Sequence, residues 1–321
     1  MAKTKLEKLQ DAYLYAYAPV LLELTRRASL NPLPGKEKTN RVNYLYHRKK
    51  LADHNSTTVV APNIDTVYST AWLDLSKGAL KLHKPQLNRY LSIAFLDAYT
   101  NCETLIGTGA DGQDEQDYII STKEYDGEIP NGYKHLILPT SKVWVIIRTI
   151  IYGEDDYEEV YKIQNELQFE PVDGAVQDEI ISEYNDDYAF NPTQKTADLS
   201  LKEFFNIFNE LLVDNVDKYQ PDDIEEWKEL GIGPELSFIE DEDVVKLEND
   251  VKNYIKEKTQ VGLGKDRELN GWSYPSDALG IYKNNYQYRA SVAIHGLGAN
   301  PLSMCTYPSI YKDIDGEELI G

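Results

Sequence analysis

The stretch Asn63-Ile-Asp-Thr-Val-Tyr-Ser-Thr-Ala-Trp-Leu-Asp74 decides the fold class. Its side chains alternate, with Tyr68, Thr70 and Trp72 on one face and Val67, Ser69, Ala71 and Leu73 on the other, which is the two-residue period of a strand. Arg89–Asn101 repeats the pattern, with Leu91, Ile93 and Phe95 set against Tyr90, Ser92 and Ala94. Shorter runs at Leu80–Leu82, Tyr118–Ser121 and Leu136–Leu138 predict further strands of the same system. Val143–Tyr152 is apolar on both faces except at Arg148, as expected of a central strand covered on both sides. Short strands at this spacing predict a β-rich α+β fold built on a jelly-roll-like β-sandwich. No GxGxxG, Walker loop or GxSxG motif argues for an alternating βαβ fold.

Helical periods flank this region. Leu6, Leu9, Tyr13, Tyr17, Val20, Leu21 and Leu24 form one apolar stripe on a helix over 5–28, which Pro19 is expected to kink or interrupt. Residues 30–60 read as a loop. Glu154–Gln168 is helical, with Asp155 and Asp156 placed favourably in its first turn. Ser200 and Glu203 form a capping box for a helix carrying Leu201, Phe204, Phe205, Phe208, Leu211 and Leu212. Gly231-Ile-Gly-Pro234 ends the next helix, and Val244, Leu247, Val251 and Ile255 mark another. Tyr286–Leu297 is a helix stopped by Gly296 and Gly298. Ser309–Ile314 reads as a strand entering a turn at Asp315-Gly316, with five residues left. A strand without room for its partner is an exposed edge. This predicts that the chain is truncated relative to a longer parent, or that a partner completes it.

The resulting organisation is an N-terminal helix and loop over 1–50, a β domain over 51–173, a mainly helical block over 174–268, and a helix with the start of a second β domain over 269–321. The net charge of -21 argues against nucleic-acid binding, because polyphosphate would be repelled. Cys102 and Cys305 are the only cysteines, so no disulfide framework or thiolate metal motif is expected, and free thiols are. The start of the chain lacks the apolar core of a signal peptide, and no window approaches 18 uninterrupted apolar residues. These readings predict a soluble, cytoplasmic protein without a membrane partner.

Ala61-Pro-Asn-Ile-Asp-Thr-Val-Tyr-Ser-Thr-Ala-Trp-Leu-Asp-Leu75 resembles the signature of the domain-of-unknown-function family numbered 1254. So do Arg89-Tyr-Leu91, Phe95–Asn101 with Ile106-Gly-Thr108, and Val143-Trp144 with Ile147-Arg-Thr149. Leu230–Pro234, Asn270-Gly-Trp-Ser273 and Arg289-Ala290 with Gly296–Pro301 extend the resemblance toward the C-terminus. The resemblance implies jelly-roll-like β domains and no established activity. In that family a second domain of unknown function, numbered 1214, usually follows. Here the similarity stops near Tyr307-Pro308 and Asp315-Gly316, in keeping with the expected truncation.

The polar residues at the ends of these strands are the candidate site. Asp65 and Asp97 each leave the core-directed face at a strand end. Antiparallel neighbouring strands would bring both to one end of the sheet. Arg148 is then the natural counter-ion, since a lone buried guanidinium is costly. In one reading Asp65 and Asp97 are the acid and base of a hydrolase, in a pocket lined by Asn63, Tyr68, Tyr99 and Asn101, acting on a small molecule or glycan. That reading requires the carboxylates to lie within about 10 Å in an open cleft. In the other, favoured here, Asn63–Thr66 and Asp97–Asn101 cap turns, Arg148 is a structural ion pair, and the protein is a non-enzymatic binding or structural module. Self-association through the incomplete second β domain is a further expectation. His47, His54, His83, His135 and His295 show no ligand spacing, and Asp111, Asp114 and Asp117 do not make a calcium loop, so neither metal nor cofactor is expected. Tyr13, Tyr15, Tyr17, Tyr282, Tyr286 and Tyr288 suit packing better than carbohydrate stacking.

Overall fold

The computed structural model describes residues 3–32, 40–52, 63–172, 181, 183–263, 267–313 and 315–319. It opens on helix α1 (Lys5–Leu30), capped by reciprocal bonds between Thr4 and Glu7. Pro19 lies inside α1 without ending it. A proline deprives the carbonyl four residues back of its helical N–H. That carbonyl, Tyr15 O, accepts instead from Arg289 Nη2 at 2.8 Å. The expected single apolar stripe is also too narrow. Every residue from Tyr15 to Leu24 is buried, because α1 is surrounded rather than laid on a surface.

The strands follow as β1 (Tyr46–His47), β2 (Thr66–Asp74), β3 (Leu80–Lys84), β4 (Leu91–Leu96), β5 (Thr104–Gly107), β6 (Gln116–Ser121), β7 (Tyr133–Ile137), β8 (Lys142–Ile150) and β9 (Phe169–Pro171). They form two sheets, ordered β1-β2-β8-β4-β5 and β7-β6-β3-β9. All pairs are antiparallel except β6 with β7. β8 is the middle strand of the first sheet, as its two apolar faces require. One of those faces, with Ala71, Leu73, Ile93, Phe95, Val145 and Ile147, meets Leu80, Leu82, Tyr118 and Ile120 of the second sheet in a shared core. Helix α2 (Tyr157–Glu166), entered by a short 3-10 turn at Glu154–Asp156, closes that core with Ile163. The fold is mixed α+β, with largely antiparallel sheets and, among the described residues, no closed barrel.

The opposite face of the first sheet looks toward the helices. Trp72 and Trp144 stack there at 5.1 Å between ring centroids, against Leu22 and Leu30 of α1. Helices α3 (Pro192–Asp198), α4 (Leu201–Leu212), α5 (Glu242–Lys258) and α6 (Tyr286–Gly296) complete the helical layer. Ser200 and Glu203 cap α4 reciprocally, and Phe204, Phe205 and Phe208 bury its apolar face against Tyr13 and Tyr15. The N-terminal helix is therefore the centre of the helical block and not a separate unit.

Beyond α5 lies a hairpin of β10 (Arg267–Leu269) and β11 (Trp272–Tyr274). Ser309 bridges Ser273 and Lys312 bridges Glu318. The turn at Gly316 thus folds back within the residues that follow it, contrary to the expectation that no partner has room to form; Ile314 lies outside the described residues. Gly298, at φ +87°, lets the backbone after α6 rest directly on the first sheet. A Cβ there would come within 2.8 Å of Ile146 Cδ1 and 3.1 Å of the Trp144 ring.

The capping of Tyr15 O by Arg289 can be measured as a coupling. Arg289→Lys keeps a charge beside Asp217 but loses the planar fork that reaches both partners, at an expected cost of about 1–3 kcal/mol. Pro19→Ala restores an N–H to Tyr15 O, so the same substitution in that background should cost about 1 kcal/mol less by urea denaturation. Equal costs in both backgrounds would contradict the capping.

Candidate functional site

Asp97 follows the end of β4 and is 4% exposed. Its Oδ1 accepts from the N–H groups of Tyr99 (2.9 Å) and Asn101 (2.8 Å), and its Oδ2 accepts from Asn101 Nδ2 at 3.3 Å. These bonds, with Thr100 N to Asp97 O, close a tight turn. Inside it Thr100, a β-branched residue, is held at φ +66°. Asn101 Oδ1 in turn accepts from Tyr282 N (3.0 Å) and Lys283 N (3.3 Å), and Cys102 N donates to Gly280 O. The turn is thereby fastened to the segment that leads into α6. The crevice beside Asp97, lined by Phe95, Asn101, Glu103, Thr104 and Leu138, has a volume of about 10 Å³. That is room for about one water molecule.

Tyr99 leads from this turn to a buried ion pair. Arg289 is 0% exposed and meets Asp217 at 3.1 Å. Its guanidinium lies over the rings of Tyr15 (4.9 Å), Tyr286 (5.1 Å) and Tyr99 (5.4 Å). Asp217 also accepts from Tyr15 Oη and Tyr219 N, so its lone pairs are well used. Tyr99 Oη donates to Asn215 O, and Asn215 Oδ1 accepts from Ser141 Oγ and Lys142 N at the start of β8.

Asp65 is elsewhere. Asn63 Oδ1 accepts from Asp65 N, Thr66 N and Thr66 Oγ1, an Asx-type cap that starts β2 and leaves the Asp65 side chain exposed. β2 and β4 are not neighbours, because β8 stands between them and pairs antiparallel with both. They therefore run in the same direction. Asp65 lies opposite position 151 of the β8 strand line and Asp97 opposite 143, about 26 Å apart at strand rise. The two carboxylates sit at opposite ends of the sheet, and the expectation of a shared end is overturned.

Arg148 also departs from expectation. It meets no carboxylate among the described residues. Its Nε donates to Tyr68 Oη (3.1 Å), Nη1 to Asn300 Oδ1 (2.6 Å) and Nη2 to Gly298 O (2.8 Å), all of them neutral. It holds the segment after α6 to the outer face of the sheet. Of the seven candidate residues, the structure joins Asp97, Tyr99 and Asn101 in one turn, joins Tyr68 to Arg148, and leaves Asn63 and Asp65 apart from both groups.

The remaining motifs have packing roles. His47 bonds Ser69 Oγ, His83 bonds Asp117, His135 bonds Ser121 Oγ and His295 donates to Ser291 O; His54 lies outside the described residues. Burial lowers the His47 imidazole to about 4. Asp111 accepts from Gly107 N and Tyr118 Oη beside the buried Lys84. Tyr13, Tyr15 and Tyr17 are buried in the helical core, and Tyr282 and Tyr288 in a smaller cluster with Leu279 and Val292. Cys102 and Cys305 are free, and burial pushes the Cys102 thiol up to about 12. Among the described residues no three His, Cys, Asp or Glu side chains are grouped to hold a metal ion, and no helix is long and apolar enough to cross a membrane.

Residues 42–171 match the model of the family described as "Protein of unknown function (DUF1254)". The DUF1254 match spans both sheets, from β1 to β9, and includes Asp97, Asn101 and Arg148. It leaves out Asn300, which Arg148 reaches directly, Arg289, which lies on Tyr99, and Asp217, the partner of Arg289. The VPA0106 protein from Vibrio parahaemolyticus is similar in structure at a TM-score of 0.66 and 15% identity, over 93% of this chain and 69% of that one. At this identity the likeness bears on the fold. A putative uncharacterized protein from Burkholderia cenocepacia aligns over 51% of this chain and 43% of its own at 14% identity, with a TM-score of 0.30. No curated protein matches the chain.

Sequence reasoning missed Arg289, Asp217, Asn215 and Asn300. A signal existed for Arg289. It stands three residues after Tyr286 and directly before Ala290, on the face of α6 that Tyr286, Ala290 and Ala293 bury in the helical core.

Two buried carboxylates are shifted in opposite directions. Burial raises the Asp97 carboxyl to about 7, with the Asp217 charge adding to the rise. Burial also pushes Glu23 upward, but the bonds from Arg26 and the charges of Arg26, Lys142 and Arg27 outweigh it and hold Glu23 at about 2. For Asp97 the folded state keeps a proton that the unfolded chain releases above its ordinary value of 3.8. Its contribution to stability is therefore full at low pH and falls as pH rises from about 4 to 7. Glu23 contributes above its ordinary 4.5 and loses that contribution as pH falls toward 2. Between pH 5 and 8, stability from urea denaturation should fall with rising pH in the wild type more than in Asp97→Asn. Parallel profiles would contradict the raised Asp97.

Proposed function

We propose that this protein is a non-enzymatic binding or structural module whose polar constellation fastens a two-sheet body, read here as jelly-roll-like, to its helical layer. One observation carries the reading. The hydrogen bonds that Asp97, Asn101, Tyr99 and Arg148 make tie segments of one chain together: Asp97 to Tyr99 and Asn101, Asn101 to Tyr282 and Lys283, Tyr99 to Asn215, and Arg148 to Gly298 and Asn300. The pairing of Asp65 with Asp97 as acid and base is not retained. Their separation of about 26 Å far exceeds the reach of paired catalytic carboxylates, about 10 Å at most.

Architectural and surface carboxylates respond differently to truncation. Asp97→Ala leaves the N–H groups of Tyr99 and Asn101 buried without an acceptor and should lower stability by about 2–4 kcal/mol in urea denaturation. Asp65→Ala, at an exposed position, should change it by less than about 0.5 kcal/mol. An Asp97→Ala protein as stable as the wild type would contradict the architectural role.

A further inference from the structure

The outer face of the first sheet holds more hydrogen-bond donors than acceptors around Arg148. Tyr68, Arg148 and Ser92 are direct register partners across β2, β8 and β4, so their side chains form one row on one face. A guanidinium has five N–H groups, and three of these go to Tyr68 Oη, Asn300 Oδ1 and Gly298 O. None of those acceptors is charged, and among the described residues the other two N–H groups meet no acceptor. Ser92 and Asn300 are both 0% exposed, and Ser92 Oγ and Asn300 Nδ2 have no hydrogen-bond partner among the described residues. Asn300 Oδ1 is on the guanidinium, which keeps its Nδ2 beside the same cation. Ser92 flanks it on the neighbouring strand. Arg148 and Tyr68 are only half-buried, so the row opens to solvent on one side.

A partly desolvated cation with no counter-charge is unfavourable, and unfilled buried donors add to the cost. The group that answers both is an anion with two oxygens in the plane of the guanidinium fork. We propose that Arg148, Ser92 and Asn300 form a binding site for a small carboxylate, either a formate- or acetate-sized ion or the carboxylate end of a small organic acid. The proposal rests on reading the chain as a binding module. Its failure would leave the architectural comparison of Asp97 with Asp65 untouched. The acidic surface, with a net charge of -21, opposes the approach of any anion, so the expected binding is weak and selective for geometry.

The test uses the full chain and sodium formate as the probe. Formate replaces chloride at constant ionic strength while the thermal midpoint is followed in the wild type and in Ser92→Ala. That substitution removes an unpartnered hydroxyl and keeps Arg148 and the core strands, so the variant should fold. The expected result is a saturable rise of roughly 2–4 °C in the wild type, reduced by at least half in Ser92→Ala. Three results would overturn the site: a rise that grows linearly and equally in both proteins, as from a bulk salt effect; an equal saturable rise in both; or no rise in either, which would mean that water satisfies these donors.

Discussion

A guanidinium with no exposure to solvent constrains everything around it. Arg289 cannot shed its charge, so the chain must supply a carboxylate, a carbonyl and a polarisable surround in one place. Asp217, Tyr15 O and the rings of Tyr15, Tyr99 and Tyr286 do so. The consequences spread outward from there. Pro19 is tolerated in α1 because the carbonyl it frees is taken up by Arg289. The loop at 213–219 is fixed because Asp217 must reach inward. The Asp97 turn is drawn to the same point because Tyr99 forms one wall of the cage and donates to Asn215 O.

The Asp97 turn and Arg148 transmit this arrangement to the sheets in different ways. Asp97 is a buried carboxylate whose acceptor bonds stay within its own turn, and Asn101 carries the connection onward to Tyr282 and Lys283. Arg148 works from the opposite direction, a cation reaching out of the central strand to hold the backbone at 298–300. Gly298 makes that approach possible, since any side chain there would strike Trp144 and Ile146. Sheet and helical layer are therefore joined through buried polar groups as well as through the aromatic and aliphatic core. Buried polar groups tolerate fewer alternative arrangements than apolar contacts do, because each misplacement leaves a donor or acceptor unpaired.

Much of the fold could be read from the sequence because it is written in local periods. The alternation in β2 and β4, the doubly apolar β8 and the Ser200–Glu203 capping box all have their causes within a few residues. The short strands β1, β5, β9, β10 and β11 escape such a reading, and β1 lies in the segment read as a loop, because two to four residues carry too little period to show. Strand order was also invisible, since it depends on which distant segment pairs with which. The inference that Asp65 and Asp97 share an end failed there, when β8 came between their strands. Arg148 stands out in an otherwise apolar strand, but nothing local names its partners: glycine and asparagine oxygens from about 150 residues downstream take the place of the expected carboxylate. Arg289 enters the sequence reading only through the family resemblance, without a site role, because its partner Asp217 lies 72 residues away and nothing local joins the two.

The central claim is that buried polar bonds at the Asp97 turn make the sheets and the helical layer one cooperative body. Native-state hydrogen exchange at the amides of Tyr99, Asn101 and Tyr282 measures this directly, since the first two donate to Asp97 inside the turn and that of Tyr282 donates to Asn101 across the junction. They should exchange only with global unfolding, at the same opening free energy as Ile147 in the centre of β8. Exchange through an opening several kcal/mol cheaper than that of Ile147 would mean that the helical layer separates from the sheets on its own, and would contradict the claim.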